Sequence, residues 1–483
     1  MKGNFSVCVP ARGIALVVVG CWSHSAAAQD CDALRPSHPD SPFNVGQSVT
    51  SRISNSGHFR VWYSLDGEHA PPDAALAESP YVGEALSIAE GAYAHYAALG
   101  YAPVVSDQVV PCAAHDDAID IYLMNFGGSA DGTKVDEVCG AVSAESCSGF
   151  LIVENDFAGY AYADQTTALR TVVPHEYFHL IQARYDARIE PWFAEAGAQW
   201  ATDTLYPGLG DMERFFPVYF KQPERSLDSA SGGAAASFSY ATALFALFLE
   251  EAYSADVMRG ALEQLAFTGP PSTLAIDVAL NEAHGSSIAA AFQRFALWNS
   301  ATGRRAGSEG YIEAASYPEV ALSEVAEPMS VKGATISLSS RYYEVTLERF
   351  SVEIETDSDR NRVWYVPLVQ GEADVAAARV LEEPEPLGPG LVIVVGVTTL
   401  RSDAPFELVF SDPSEPPGDA GSLPEAGLDA GPTVDAADTD GAAHPQPSGD
   451  GCRMRPGRTR NHSWLALVAL LGPWLLAKIR REN

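Results

Sequence analysis

The apolar pattern of this 483-residue chain switches between a strand period and a helix period, and the order of those changes restricts the folds open to it. Phe59, Val61 and Tyr63 alternate with His58, Arg60 and Trp62, the two-residue period of a strand. Residues 118–124 and 149–153 read as further strands, flanking the loop that holds Cys139 and Cys147. Residues 80–99 place Ala, Leu and Tyr at helical spacing, with Gly100 as a natural C-cap. Residues 165–300 are helical in pattern almost throughout. One helix holds Thr167 to Ala187, another starts near Pro191, a third covers Phe238 to Ala252, and others run to Trp298. From Met329 to Phe410 short alternating runs return, at 342–347, 363–366, 391–395 and 406–410, broken by Gly and Pro. Strands first and helices after make an α+β class. The final block predicts a small β-sandwich. No repeat of 20–50 residues is apparent.

Hydrophobic residues make up 47% and charged residues 19%, a globular composition that rules out wholesale disorder and a collagen-like helix. Thirty Lys and Arg against 63 Asp and Glu leave a net charge of −33. Phosphate attraction is therefore missing, and no nucleic-acid partner is expected. The acidic excess reads as a solvated face.

Both ends of the chain carry processing signals. Residues 1–28 have the form of a secretory signal peptide: Lys2 and Arg12, a short apolar run from Gly13 to Gly20, then Ala26, Ala27 and Ala28 before the cleavage point. Cys21, after Val18, Val19 and Gly20, offers lipidation as the alternative. Residues 29–56 form an N-terminal extension, whose role as a propeptide stays open. Residues 412–450 are an acidic linker rich in Pro, Gly and Ala and without aromatics, expected to be a disordered stalk. Residues 451–483 bring Gly451, Cys452 and Arg453, a basic cluster, an apolar helix from Trp464 to Ile479, and Lys478, Arg480 and Arg481. That order resembles the MYXO-CTERM sorting tails of myxobacterial surface proteins, and the resemblance implies Cys452 as the processing and anchoring point. The chain is then exported, held at the cell surface or outer membrane or released after tail processing, and meets a membrane only through its tail.

Seven cysteines are present; Cys8 and Cys21 fall in the signal and Cys452 in the tail. The remaining even set in an exported chain predicts two disulfides. Cys139 and Cys147 are close enough to staple a loop, which leaves Cys31 to pair with Cys112. No Cys-x2–4-Cys spacing occurs, which argues against a zinc–thiolate site.

The chemistry concentrates in residues 174–203. His175 and His179 are four apart, so on a helix both imidazoles project from one face and can take one ion. Neutral imidazole suits Zn²⁺, and Glu176, next to the first His, can serve a metal-activated water as general base. A catalytic zinc needs a third protein ligand. A third His at the metzincin spacing is absent, since position 182 is Gln and position 185 is Tyr. Glu195 is the better candidate, sixteen positions after His179 on the next helix, among Trp192, Phe193 and Trp200, where an unpaired carboxylate would be costly. Glu190 and Asp203 are alternatives. Pro174 either starts the helical turn or kinks it.

His175-Glu176-x-x-His179 followed by Trp192-x-x-Glu195 resembles the gluzincin metallopeptidases, and the flanking residues resemble a family of secreted metalloproteases found in myxobacteria. The matching pieces are Phe59–Tyr63, Leu99–Tyr101, Ile119–Leu123, His175–Gln182, Trp192–Trp200, Tyr240–Leu249 and Tyr317–Pro318, spread over most of residues 57–410. The spacing to Glu195 is shorter than in the best-known gluzincins. The resemblance implies a zincin-like catalytic domain at 57–328, followed by the β-sandwich at 329–411. It makes His175, His179 and Glu195 the ligands of one Zn²⁺ and Glu176 the general base of a peptidase acting on protein or peptide. Tyr240 and Tyr177 are candidates to stabilise the oxyanion, and the strand at 150–153 is a candidate edge for an extended substrate. Ca²⁺ has no supporting motif, and a monomer is expected. No Gly-x-Ser-x-Gly elbow, phosphate-binding loop or dinucleotide fingerprint occurs. The competing reading is a non-catalytic surface adhesin or an inactive protease-like module on the stalk.

Overall fold

The structure, a computed structural model, describes residues 35–46, 48–109, 116–229, 237–399 and 402–413. The signal peptide, Cys21, the expected Cys31–Cys112 bridge, nearly all of the linker, Cys452 and the tail lie outside the described residues. Among the described residues no helix is long and apolar enough to cross a membrane.

The first layer is a five-stranded sheet. β1 (Val49–Ile53) pairs antiparallel with β2 (Phe59–Ser64), α1 (Pro80–Ala98) follows, and β3 (Ile119–Met124) lies parallel to β2. β4 (Gly132–Cys139) and β5 (Cys147–Glu154) form a hairpin whose ends are joined by the Cys139–Cys147 disulfide. The strand order is β1-β2-β3-β5-β4. β5 is therefore paired on both sides, parallel to β3 and antiparallel to β4. This corrects the expectation for 150–153: that strand is interior, and β4 holds the edge. The residues explain why. Phe150 to Val153 are all buried, as a strand covered on both faces requires. β4 carries Lys134, Asp136 and Glu137, charges that suit an edge.

One face of the sheet packs against α1 and α2 (Gln165–Asp186), burying Phe59, Val61, Ile121, Leu123, Leu151 and Val153 in the main core. Tyr122, Val135, Phe150 and Ile152 point the other way, where Phe43 covers them. Arg35 reaches the same face and is buried there with three carboxylates, Asp107 at 2.8 Å, Glu137 at 2.7 Å, and Asp120. Residues of the 29–56 stretch thus both cover the sheet and supply its first strand.

The helical region continues with α3 (Pro191–Leu205), α4 (Phe216–Phe220), α5 (Ser237–Ala241), α6 (Ala243–Ala252), α7 (Asp256–Thr268), α8 (Ser272–His284) and α9 (Ile288–Ser300). The helix expected over 238–252 is broken between α5 and α6, where the Thr242 hydroxyl donates to the Trp192 carbonyl. The C-terminal strands are β6 (Ser323–Val325), β7 (Met329–Thr335), β8 (Ser340–Val345), β9 (Ser351–Thr356), β10 (Asn361–Val369), β11 (Glu372–Ala373), β12 (Arg379–Val380), β13 (Gly390–Gly396) and β14 (Ala404–Ser411). They form a six-stranded sheet, β11-β10-β13-β8-β6 with β12 on β10, facing a three-stranded sheet, β7-β14-β9. Val392 and Val394 of β13 point between the sheets, against Phe406, Leu408 and Phe410. Leu391, Ile393 and Val395 point the opposite way, into the main core shared with the helices. That explains the uninterrupted apolar run in β13, buried on both faces. The molecule is mixed α+β, with the sandwich packed onto the helical layer.

Candidate metal centre

Local sequence explains the helix that carries the motif. Asp164 caps α2, its side chain accepting from the Thr167 N–H at 2.7 Å. The helix runs unbroken through Pro174, where the ring removes the N–H that would bond the Arg170 carbonyl. Pro191 starts α3 after a four-residue connection, a favoured place for proline. The short connection turns α3 back against α2, and this return sets the site.

Three ligand atoms converge between the two helices. The Nε2 atoms of His175 and His179 are 3.1 Å apart, and Glu195 Oε2 lies 3.2 Å from the first and 3.5 Å from the second. A tetrahedral Zn²⁺ with bonds of about 2.0–2.2 Å holds its ligands roughly 3.3–3.6 Å apart, so the triangle is close to the size such an ion requires. The donor set, two imidazoles and a carboxylate, also suits zinc. Among the described residues this is the one group of three or more His, Cys, Asp or Glu side chains that converges.

Burial and charge divide the two acids of the site. His175, His179 and Glu195 are 7%, 2% and 6% exposed, and Glu176 is 4% exposed. Burial alone would raise the Glu195 pKa, but the hydrogen bonds and charge of His179 and His175 hold it down at about 2. Burial dominates at Glu176 and pushes it up to about 7, with Glu195 and Asp131 adding to the rise and the histidines opposing it. Glu176 Oε2 has no hydrogen-bond partner among the described residues, as expected for a carboxylate that faces something other than protein.

The remaining sequence candidates divide. The Tyr240 ring on α5 lies 5.9 Å from the His175 ring and stacks on Phe215 at 5.0 Å, so it borders the site. Tyr177 does not join it. Its ring packs with Phe59, Tyr93 and Tyr96 in the core, which removes it as an oxyanion donor. Adjacent residues on a helix point about 100° apart, so Glu176 can face the site while Tyr177 faces the sheet. Glu190 accepts from the Ser272 N–H at 2.6 Å, away from the histidines. Asp203 sits two turns along α3 from Glu195, its pKa raised to about 7 by burial and by Glu213, Glu250, Glu313 and Asp211. Neither belongs to the convergent group.

Other contributors were not singled out from the sequence. Gly132, the first residue of β4, lies against the base. A Cβ there would fall 2.9 Å from Glu176 Cγ and 2.5 Å from Val172 Cγ1. Asp131, beside it, accepts from the Tyr162 hydroxyl. Gln182 bonds both helices of the site, to His179 Nδ1 at 2.7 Å and to the Ala194 carbonyl at 2.9 Å. The contacts of Gly132 and the Gln182–Ala194 bond join separate elements, so no local spacing could reveal them, whereas Gln182 and His179 stand three apart on α2.

No protein family and no curated protein matches the chain. Several solved structures are weakly similar, these two among them. One is the pre-peptidase C-terminal domain of a collagenase from Bacillus anthracis, at 13% identity and a TM-score of 0.16, covering 19% of this chain and 95% of that one. The other is Legionella pneumophila aminopeptidase A in complex with aspartic acid, at 11% identity and a TM-score of 0.29, covering 74% of this chain. The chain spans 36% of that aminopeptidase's length. Likenesses of this size carry no weight for activity.

Proposed function

We propose that the chain is a zinc-dependent peptidase of the gluzincin type, with a zincin-like catalytic unit. The observation that supports this most is the His175–His179–Glu195 triangle beside a buried Glu176 carboxylate whose Oε2 has no hydrogen-bond partner among the described residues. His175, His179 and Glu195 would hold the ion. Zinc supplies Lewis acidity to water and to a carbonyl oxygen. Glu176 takes a proton from the attacking water at its carboxylate and returns it to the leaving amine. Tyr240, whose ring borders that of His175, would donate to the developing oxyanion. β4, paired among the described residues only with β5, would offer an edge for an extended peptide next to Glu176.

The sequence signals add a setting: export by the N-terminal signal, and surface retention through Cys452 and the tail. Digestion of unfolded protein by the purified chain tests the activity. The wild type should cleave, Glu176→Gln should be at least about 10²-fold slower while keeping its zinc, and His179→Ala should lose both. Wild-type zinc binding without cleavage of any peptide bond would reject the peptidase reading and leave a metal-holding surface module.

A further inference from the structure

Gln182 lies three residues after His179, is 1% exposed, and is placed in neither the ligand set nor the base. Its amide makes two bonds that together determine its orientation. The Ala194 carbonyl can only accept, so the nitrogen of Gln182 must face it, at 2.9 Å. The amide oxygen then faces His179 Nδ1 at 2.7 Å, and an oxygen there can only accept. His179 therefore carries a proton on Nδ1, so Nε2, 3.1 Å from His175 Nε2 and 3.5 Å from Glu195 Oε2, is the nitrogen it would offer to an ion. The second bond reaches the residue directly before Glu195. One side chain thus fixes the tautomer of the second ligand and the distance to the helix that bears the third.

Gly197 makes the bridge possible. A Cβ at that position would lie 2.8 Å from Gln182 Nε2 and 3.4 Å from Phe178 Cε1. A larger residue there would force the amide aside or push α3 away from α2.

We infer that Gln182 is a positioning residue for the metal centre, acting through both His179 and the Ala194–Glu195 backbone, with Gly197 reserving the space it needs. This rests on the zinc reading above. Outer partners of metal-bound histidines set ring orientation and basicity, and their loss typically weakens metal binding about 10–100-fold. Gln182→Met keeps the length and removes both bonds. Gln182→Glu keeps an acceptor opposite His179 Nδ1. Gly197→Ala displaces the amide without touching a ligand.

The test is zinc affinity of the full chain by chelator competition, with the visible absorption of the Co²⁺-loaded protein as a second readout of ligand geometry. Gln182→Met should bind zinc about 10–100-fold more weakly and show an altered Co²⁺ spectrum. Gln182→Glu should recover most of that loss, and Gly197→Ala should weaken binding in the same direction. Equal affinity in the wild type and Gln182→Met, or a Glu variant no better than the Met variant, overturns the inference while the zinc reading stands. Should Gln182→Met fail to fold, unchanged affinity and spectrum in Gly197→Ala overturn it equally. A wild type that binds no zinc removes the reading on which it rests.

Discussion

Glu176 and Glu195 are buried beside the same two imidazoles, yet their surroundings drive them in opposite directions. Glu195, held at about 2, contributes stability that is present above its unfolded value near 4.5 and is lost as pH falls towards 2. Glu176, raised to about 7, behaves in the reverse sense. The metal-free folded state keeps a proton that the unfolded chain releases above about 4.5, so stability declines as pH rises towards 7. Metal-free wild type should therefore lose melting temperature relative to Glu176→Gln between about pH 5 and pH 7.5. Thermal melts of both proteins in chelator check this, and a difference that stays constant across the range would show that Glu176 is ionised throughout. The sequence made His175, His179 and Glu176 legible, because helical spacing alone puts two imidazoles on one face. It did not reveal that Tyr177 belongs to the core, since nothing local says which face of α2 meets the sheet.

At the scale of elements, the site depends on β4 as much as on α2 and α3. Gly132→Ala would drive a methyl into Val172 and Glu176, so it should lower turnover by roughly 10-fold or more while zinc content stays full. Metal analysis alongside a turnover assay separates this outcome from loss of the ion. The other end of the β4–β5 hairpin is tied by Cys139–Cys147, and its loop caps the C-terminus of α2, with the Ala187 N–H donating to the Glu145 carbonyl at 2.9 Å. Replacing both cysteines by alanine should cost about 2–3 kcal/mol, measured by denaturant unfolding. An unchanged midpoint would mean that the hairpin holds its shape without the bridge. β4 and β1 escaped the sequence reading for one reason. β4 fully buries little beyond Val135, and β1 buries none of its residues fully, so neither shows clear apolar alternation. Strands with more to bury, β3, β5 and β13, were plain.

Across the whole molecule, the sandwich and the helices share one core. Leu391, Ile393 and Val395 enter it from β13, the Tyr342 hydroxyl donates to the Ala296 carbonyl at 3.1 Å, and buried Arg305 pairs with Glu319 at 3.0 Å and Glu344 at 3.7 Å. A chain ending after residue 328 would bare that surface and should lose cooperative unfolding, whereas one ending after Asp412 keeps every described strand and should fold and act as the full chain does. Calorimetry of the two truncations decides this, and a cooperative transition in the shorter one would make the sandwich a separate module. The sequence announced both blocks but not their union, because a face buried against helices and one buried against strands look alike in a run of Val, Leu and Ile. The most direct test of the account is the zinc content of the purified full chain, wild type beside Glu195→Ala. The account predicts about one zinc per wild-type chain and little in the variant, because two imidazoles alone hold the ion poorly. A wild type without zinc, or a Glu195→Ala protein that keeps its full complement, would contradict it.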